Sequence, residues 1–238
     1  MTFIPDWTVL LTYSAVCGLL FVTPGPDMSL FLAKTIAGGR SSGFAAFSGA
    51  STGSLVHTLL AAIGLSALIS ASATAFLVLK VVGAVYLVWL AIEAIRSGST
   101  IKFNDGNAID NKSKNSALSM NKDGDKPELN PRQTARELRR TYVTGLFVNL
   151  SNPKIVLFFV TFLPQFIQPG DPDAAAKLLF LGFYFVAFTL PCGFVMIILA
   201  ERFIQMVKSR PGIMRAIDWM FASVFCLFAI KILATERI

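Results

Sequence analysis

Hydrophobic residues run along this chain in long unbroken stretches. Six are long enough to cross a hydrocarbon core as helix, which takes about 20 residues. They lie near 8–33, 43–70, 76–96, 142–167, 175–200 and 213–234. Continuous runs predict helices, because membrane strands alternate in polarity. The expected fold class is therefore an all-α membrane protein with six transmembrane helices. Between the third and fourth runs, residues 98–131 are rich in Asn, Ser, Lys, Asp and Gly and lack the apolar surface needed to order themselves. The chain divides into a three-helix unit at 1–97, a polar cytoplasmic linker with a basic segment at 98–141, and a second three-helix unit at 142–238. Pro131 followed by Arg132, Arg136, Arg139 and Arg140 predicts a short helix on the anionic inner leaflet.

Two of the apolar runs break in the same way. The first reads Gly18 to Asp27 through Thr23-Pro24-Gly25-Pro26, and the fourth reads Gly145 to Lys154 through Asn149, Ser151, Asn152 and Pro153. Gly18 and Gly145, Pro26 and Pro153, and Asp27 and Lys154 are each 127 residues apart. Leu30/Leu157 and Phe31/Phe158 continue the register. Proline removes an N–H and clashes with the preceding turn. Matched interruptions in two halves of a chain point to a transporter's binding site. Three spans per half is an odd number, so the second half enters the membrane from the opposite side. The repeat is then an inverted 3+3 repeat.

Charge sets the orientation. Residues 34–42, 96–141 and 201–215 hold sixteen of the 21 Lys and Arg, the opposite side holds four, and Lys154 lies inside a span. The positive-inside bias puts the first group in the cytoplasm and both termini outside it. The net charge of +7 is explained by this topology without nucleic acid as a partner. A composition 54% hydrophobic and only 15% charged excludes an ordinary soluble domain. The N-terminus lacks a basic region before its apolar run, so that run is expected to stay as a span. Cys17, Cys192 and Cys226 sit in apolar runs and are expected to pack as small hydrophobes. One histidine and no Cys/His spacing leave no metal site or cofactor to expect. No nucleophile elbow, phosphate loop or pair of catalytic carboxylates is present, so the chain is not expected to be an enzyme.

Asp27 and Lys154 are ionisable residues deep in apolar sequence, where such groups face a partner or a water-filled cavity. They fit a buried ion pair locking the halves, and equally a polar site offering Lys154 to an anion and Asp27 to a cation. Pro24, Pro26 and Pro153 free carbonyls one turn upstream. Gly25 allows close approach to the backbone, and Asn149, Ser151 and Asn152 add neutral donors and acceptors. A small zwitterion matches this set. Gly49 and Gly53 make a small-residue face for internal helix packing or for a homodimer. His57, one turn beyond, is a packing residue or a proton relay with Asp27. Pro191 is expected to kink the fifth span.

The Thr23-Pro24-Gly25-Pro26-Asp27 element and Asn152-Pro153-Lys154 resemble the paired signatures of the LysE/RhtB family of amino-acid exporters. Gly49, Gly53 and His57 with Gly64-Leu65, and Gly83-Ala84-Val85-Tyr86-Leu87, are similar to that family too. The resemblance covers both halves; the long polar linker departs from it. It implies a six-span protein of the bacterial cytoplasmic membrane that moves amino acids outward in exchange for protons. The motifs do not separate one amino-acid substrate from another. Export of a metal ion or another small solute is an alternative, disfavoured by the single histidine and by the buried Lys154, whose charge repels cations. A membrane scaffold or membrane-embedded enzyme is the remaining alternative.

Overall fold

The computed structural model describes residues 5–97, 131–168 and 171–200, with scattered positions between 202 and 230. All regular structure among them is helical. The polar linker falls outside the described residues apart from its last helical part, and the sixth expected span does so in large part.

Helix α1 (Trp7–Val22) ends at Thr23. Helix α2 (Pro26–Ala71) begins with Pro26 at its first position, after an extended Gly25. The expected break of the first span therefore lies at Thr23–Gly25. α2 is not straight. Gly39 alone leaves the helical region, with φ 76° and ψ 176°. A straight helix would set Phe31 and Phe47 about 24 Å apart, yet their ring centroids are 5.5 Å apart. The Thr35 side chain likewise stands against Gly43. α2 is thus a helical hairpin with a short arm (26–38) and a long arm (40–71). The loop expected at 34–42 contracts to one residue. That backbone region is essentially restricted to glycine. Gly39→Ala is expected to destabilise the fold by about 1–3 kcal/mol, read as a lower melting temperature of the purified protein. An unchanged melting temperature would refute the hairpin.

Helix α3 (Ala73–Ser97) follows. Helix α4 (Pro131–Leu150) joins the basic segment and the start of the fourth apolar run into one helix. After Ser151 and Asn152 the chain resumes as α5 (Pro153–Leu157), a π turn (Phe158–Phe162) and a 3₁₀ turn (Leu163–Phe166). The bend across this second break is 51°. Helix α6 (Ala174–Ile198) continues through Pro191. Asp171 steadies its start by accepting from the Asp173 N–H at 2.9 Å and from Lys177 Nζ. The Lys177 bond holds the Asp171 carboxyl below the usual carboxylate range.

Contacts fix the helix directions. Tyr13 reaches Leu181, Ser14 reaches Tyr184 and Gly18 reaches Phe188, so α1 and α6 run parallel. Gly145 packs on Ala46, and Asn149 on Gly53, so the long arm and α4 also run parallel. The long arm runs against α6: Gly43 lies near Ile197, Phe47 near Gly193 and Thr58 near Gly182. At Gly49 and Gly145 an added Cβ would strike a backbone carbonyl across the crossing. Small residues let these two helices approach to backbone contact. Of the two uses expected of the Gly49 and Gly53 face, internal packing is the one the structure shows: α4 of the same chain lies against it, in place of the homodimer contact.

Two apolar clusters result. Tyr13, Cys17 and Leu20 pack with Phe158, Phe162, Leu178 and Phe185. Met28, Phe31, Leu32 and Phe47 pack with Met196 and Ile197. Large apolar side chains such as Trp7, Leu60, Ile63, Phe147 and Phe183 are exposed on several helices. That surface suits lipid and not water. By length and composition, α2 and α6 each hold a stretch apolar enough to cross a membrane, and the bent pair across the second break qualifies as a third.

Candidate functional site

The two breaks meet at one cavity between the apolar clusters. The reason lies in the chain. Each break ends a helix without carrying it on, and each resumes with a proline at the first helical position, Pro26 and Pro153. Proline there loses nothing, since that N–H has no intrahelical partner. Asn152 completes the second restart by accepting the Lys154 backbone N–H on its side chain at 3.1 Å.

Gly25, Asp27, Asn149, Asn152 and Lys154 all line the cavity. Asn149 Nδ2 donates to Asp27 Oδ2 at 2.7 Å. Lys154 Nζ donates to the carbonyls of Leu20, at 2.9 Å, and Thr23, at 2.7 Å. Asn149 and Asn152 are 2% and 1% exposed, so these amides are committed to the interior. Asn152 lies within interaction range of the Asp27 carboxyl. Neither Asp27 Oδ1 nor Asn152 Nδ2 meets a partner with hydrogen-bond geometry. Buried polar atoms of this kind call for an explanation, and a bound solute is one.

Pro24, Pro26 and Pro153 shape the breaks and do not line the cavity. Ser151 is exposed and also absent from the lining. It follows the last residue of α4, held by its N–H to the Phe147 carbonyl at 3.0 Å. His57 is buried outside the lining. Its Nε2 donates loosely to the Asn149 carbonyl at 3.4 Å, and its ring stacks on Phe159. Its hydrogen bond to the Asp27 cluster runs through Asn149.

Sequence reasoning missed Ser51, Ser54 and Thr189, which also line the cavity. Ser51, Ser54 and His57 recur every third residue in an apolar helix, a signal that marks one polar face. The aromatic walls, Phe31, Phe47 and Phe185, carried no such signal among 21 phenylalanines. The cavity measures about 60 Å³. Small-molecule sites begin at roughly 300 Å³, so the polar cluster is closed on itself in this conformation.

The sequence model of the family described as LysE type translocator matches residues 19–236, across both breaks and the cavity they form. The chain belongs to the LysE type translocator family. It is a membrane translocator and not an enzyme. The homoserine/homoserine lactone efflux protein of Salmonella typhimurium is 30% identical over 225 residues, covering 94% of this chain and 95% of that protein. The leucine efflux protein of Klebsiella pneumoniae is 29% identical over 227 residues, covering 93% of each. An uncharacterised membrane protein of Vibrio cholerae is 28% identical over 222 residues, 92% of this chain and 94% of that one. No solved structure matches the chain.

Proposed function

We propose that this translocator exports a small amino acid across the bacterial cytoplasmic membrane, exchanging it for protons by alternating access. One observation carries the reading: two proline-broken helices converge on a cavity that holds an acid, a lysine and two buried amides. Asp27 Oδ1 is the acceptor for the substrate's ammonium. Asn152 Nδ2 and the positive charge of Lys154 serve its carboxylate, helped by the N–H groups that open α2. Ser51, Ser54 and Thr189 supply neutral hydroxyls. The relatives named for homoserine and leucine efflux support an amino-acid substrate. Because the cavity is smaller than an amino-acid site requires, the halves must separate to load it. Asp27 and His57, joined through Asn149, form the proton path.

The architecture proposed is six spans in an inverted 3+3 repeat. Two parallel contacts support it, α1 with α6 and α4 with the long arm of α2. Under the repeat, α1 maps to α4 and the long arm maps to α6, so each contact is the image of the other. Gly18 and its mate Gly145 sit at those contacts. Arg40 Nη2 donates to the Ile198 carbonyl at 3.3 Å. That bond supports residue 40 and the end of α6 lying on one side, the cytoplasmic side by charge. Both termini then lie outside the cytoplasm.

Purified protein in proteoliposomes is expected to give counterflow of labelled homoserine or leucine. Counterflow no greater than in empty liposomes for every amino acid offered would refute the function. Reporter fusions at residue 110 should score cytoplasmic and fusions at the C-terminus external. A cytoplasmic C-terminus would end the inverted arrangement.

A further inference from the structure

The broken end of α1 has the chemistry of a cation site. Leu20 would ordinarily offer its carbonyl to the N–H four residues on, but that residue is Pro24, which has none. Thr23 caps α1 with extended backbone, φ −64° and ψ 121°, which turns its own carbonyl out of the helix. Both carbonyls sit at the negative end of the α1 dipole, and Thr23 is buried. Both accept from the same atom, Lys154 Nζ. The lysine reaches them over Gly25, where a Cβ would stand only 3.2 Å from Nζ and 3.3 Å from Cε.

We infer that the carbonyl cluster of Leu20 and Thr23 is a monovalent, ammonium-type cation site whose resident cation is the tethered side chain of Lys154. The inference deepens the reading of the two breaks as one site. Unwound carbonyls in broken transporter helices can hold a free coupling cation. Here a lysine from the opposite repeat fills that role. The consequence is chemical: transport by the wild-type protein needs no free sodium at this position. The lysine also ties the two repeats together at the point where they must part.

Chemical rescue tests this. Lys154→Ala removes the three carbons and the ammonium that n-propylammonium restores. The variant is extracted and purified in n-propylammonium chloride and, separately, in choline chloride at equal ionic strength. Choline has no N–H to donate. Greater recovery of folded variant in n-propylammonium, or a melting temperature higher by about 3 °C or more, with no such difference in the wild type, is the expected result. Equal melting, or equal failure to recover folded protein, in the two salts would overturn the inference. So would a wild-type shift as large as the variant's. Wild-type counterflow should keep its rate when choline replaces sodium, and sodium dependence would also overturn it. Absence of counterflow for every amino acid would sink only the proposed function, because the melting comparison needs no substrate.

Discussion

Asp27→Asn is expected to fold at wild-type level and to lose at least about nine-tenths of counterflow. The substitution is informative because it keeps the bond that holds the residue. The asparagine amide oxygen still accepts from Asn149 Nδ2, the partner of Asp27 Oδ2 at 2.7 Å. What disappears is the charge, the group proposed to take the substrate's ammonium and the coupling proton. Lys154→Gln should differ in kind. It replaces the ammonium with a neutral amide on a side chain one atom shorter, which cannot keep both bonds to the Leu20 and Thr23 carbonyls, and each buried carbonyl left unpaired costs about 1–3 kcal/mol. Reduced protein level should therefore accompany its loss of transport. The double variant separates a lock from a site. A purely structural pair would regain transport when both charges are gone, since removing both members of a buried pair is often tolerated. A substrate site would give a folded, inactive protein, which is the outcome expected. Normal counterflow by Asp27→Asn would remove Asp27 from the site.

Gly145→Leu should be the most damaging substitution to the fold itself. A Cβ at residue 145 would strike the backbone of Ala46, and one at Gly49 would strike the backbone of Tyr142. Neither obstacle is a side chain that can rotate away. α4 and the long arm must move apart, which costs about 1–3 kcal/mol or more. The shift would also loosen the Tyr142 hydroxyl from Thr52, bonded at 2.8 Å, and draw Asn149 away from Asp27. Gly64→Ala is the matched control, because nothing lies within 4 Å of its added Cβ. Thermal melting of the two purified variants decides the matter. If Gly145→Leu melts with Gly64→Ala, the close crossing is not there.

The candidate site was legible in part, and the residues show why. Asp27, Lys154 and the prolines stood out because they are costly in an apolar helix, and such exceptions are visible one residue at a time. The 127-residue offset added their pairing. Ser151 was misplaced because its neighbours in sequence, Asn149 and Asn152, are buried while it is exposed. A helix turns about 100° per residue, so adjacent residues at its frayed end face different media. Ser51, Ser54 and Thr189 were missed because serine and threonine can bond back to the preceding helical turn anywhere in a span. Thr189 does so, to the Phe185 carbonyl at 2.9 Å.

The sequence by itself determined what depends on local cost: a helical membrane chain, two proline breaks, and one acid and one lysine among apolar residues. It also determined the family, through motifs that survive without any contact information. Only the tertiary structure decided what depends on which surfaces meet. It showed that α2 folds back at Gly39, that the Gly49/Gly53 face is spent on α4, and that Lys154, beside the second break, is bonded to the Leu20 and Thr23 carbonyls at the first. The physical reason is that hydrophobic pattern fixes the period and burial of a helix but leaves its partner open. Partners are chosen by backbone approach and by hydrogen-bond geometry, and those exist only once the helices are packed.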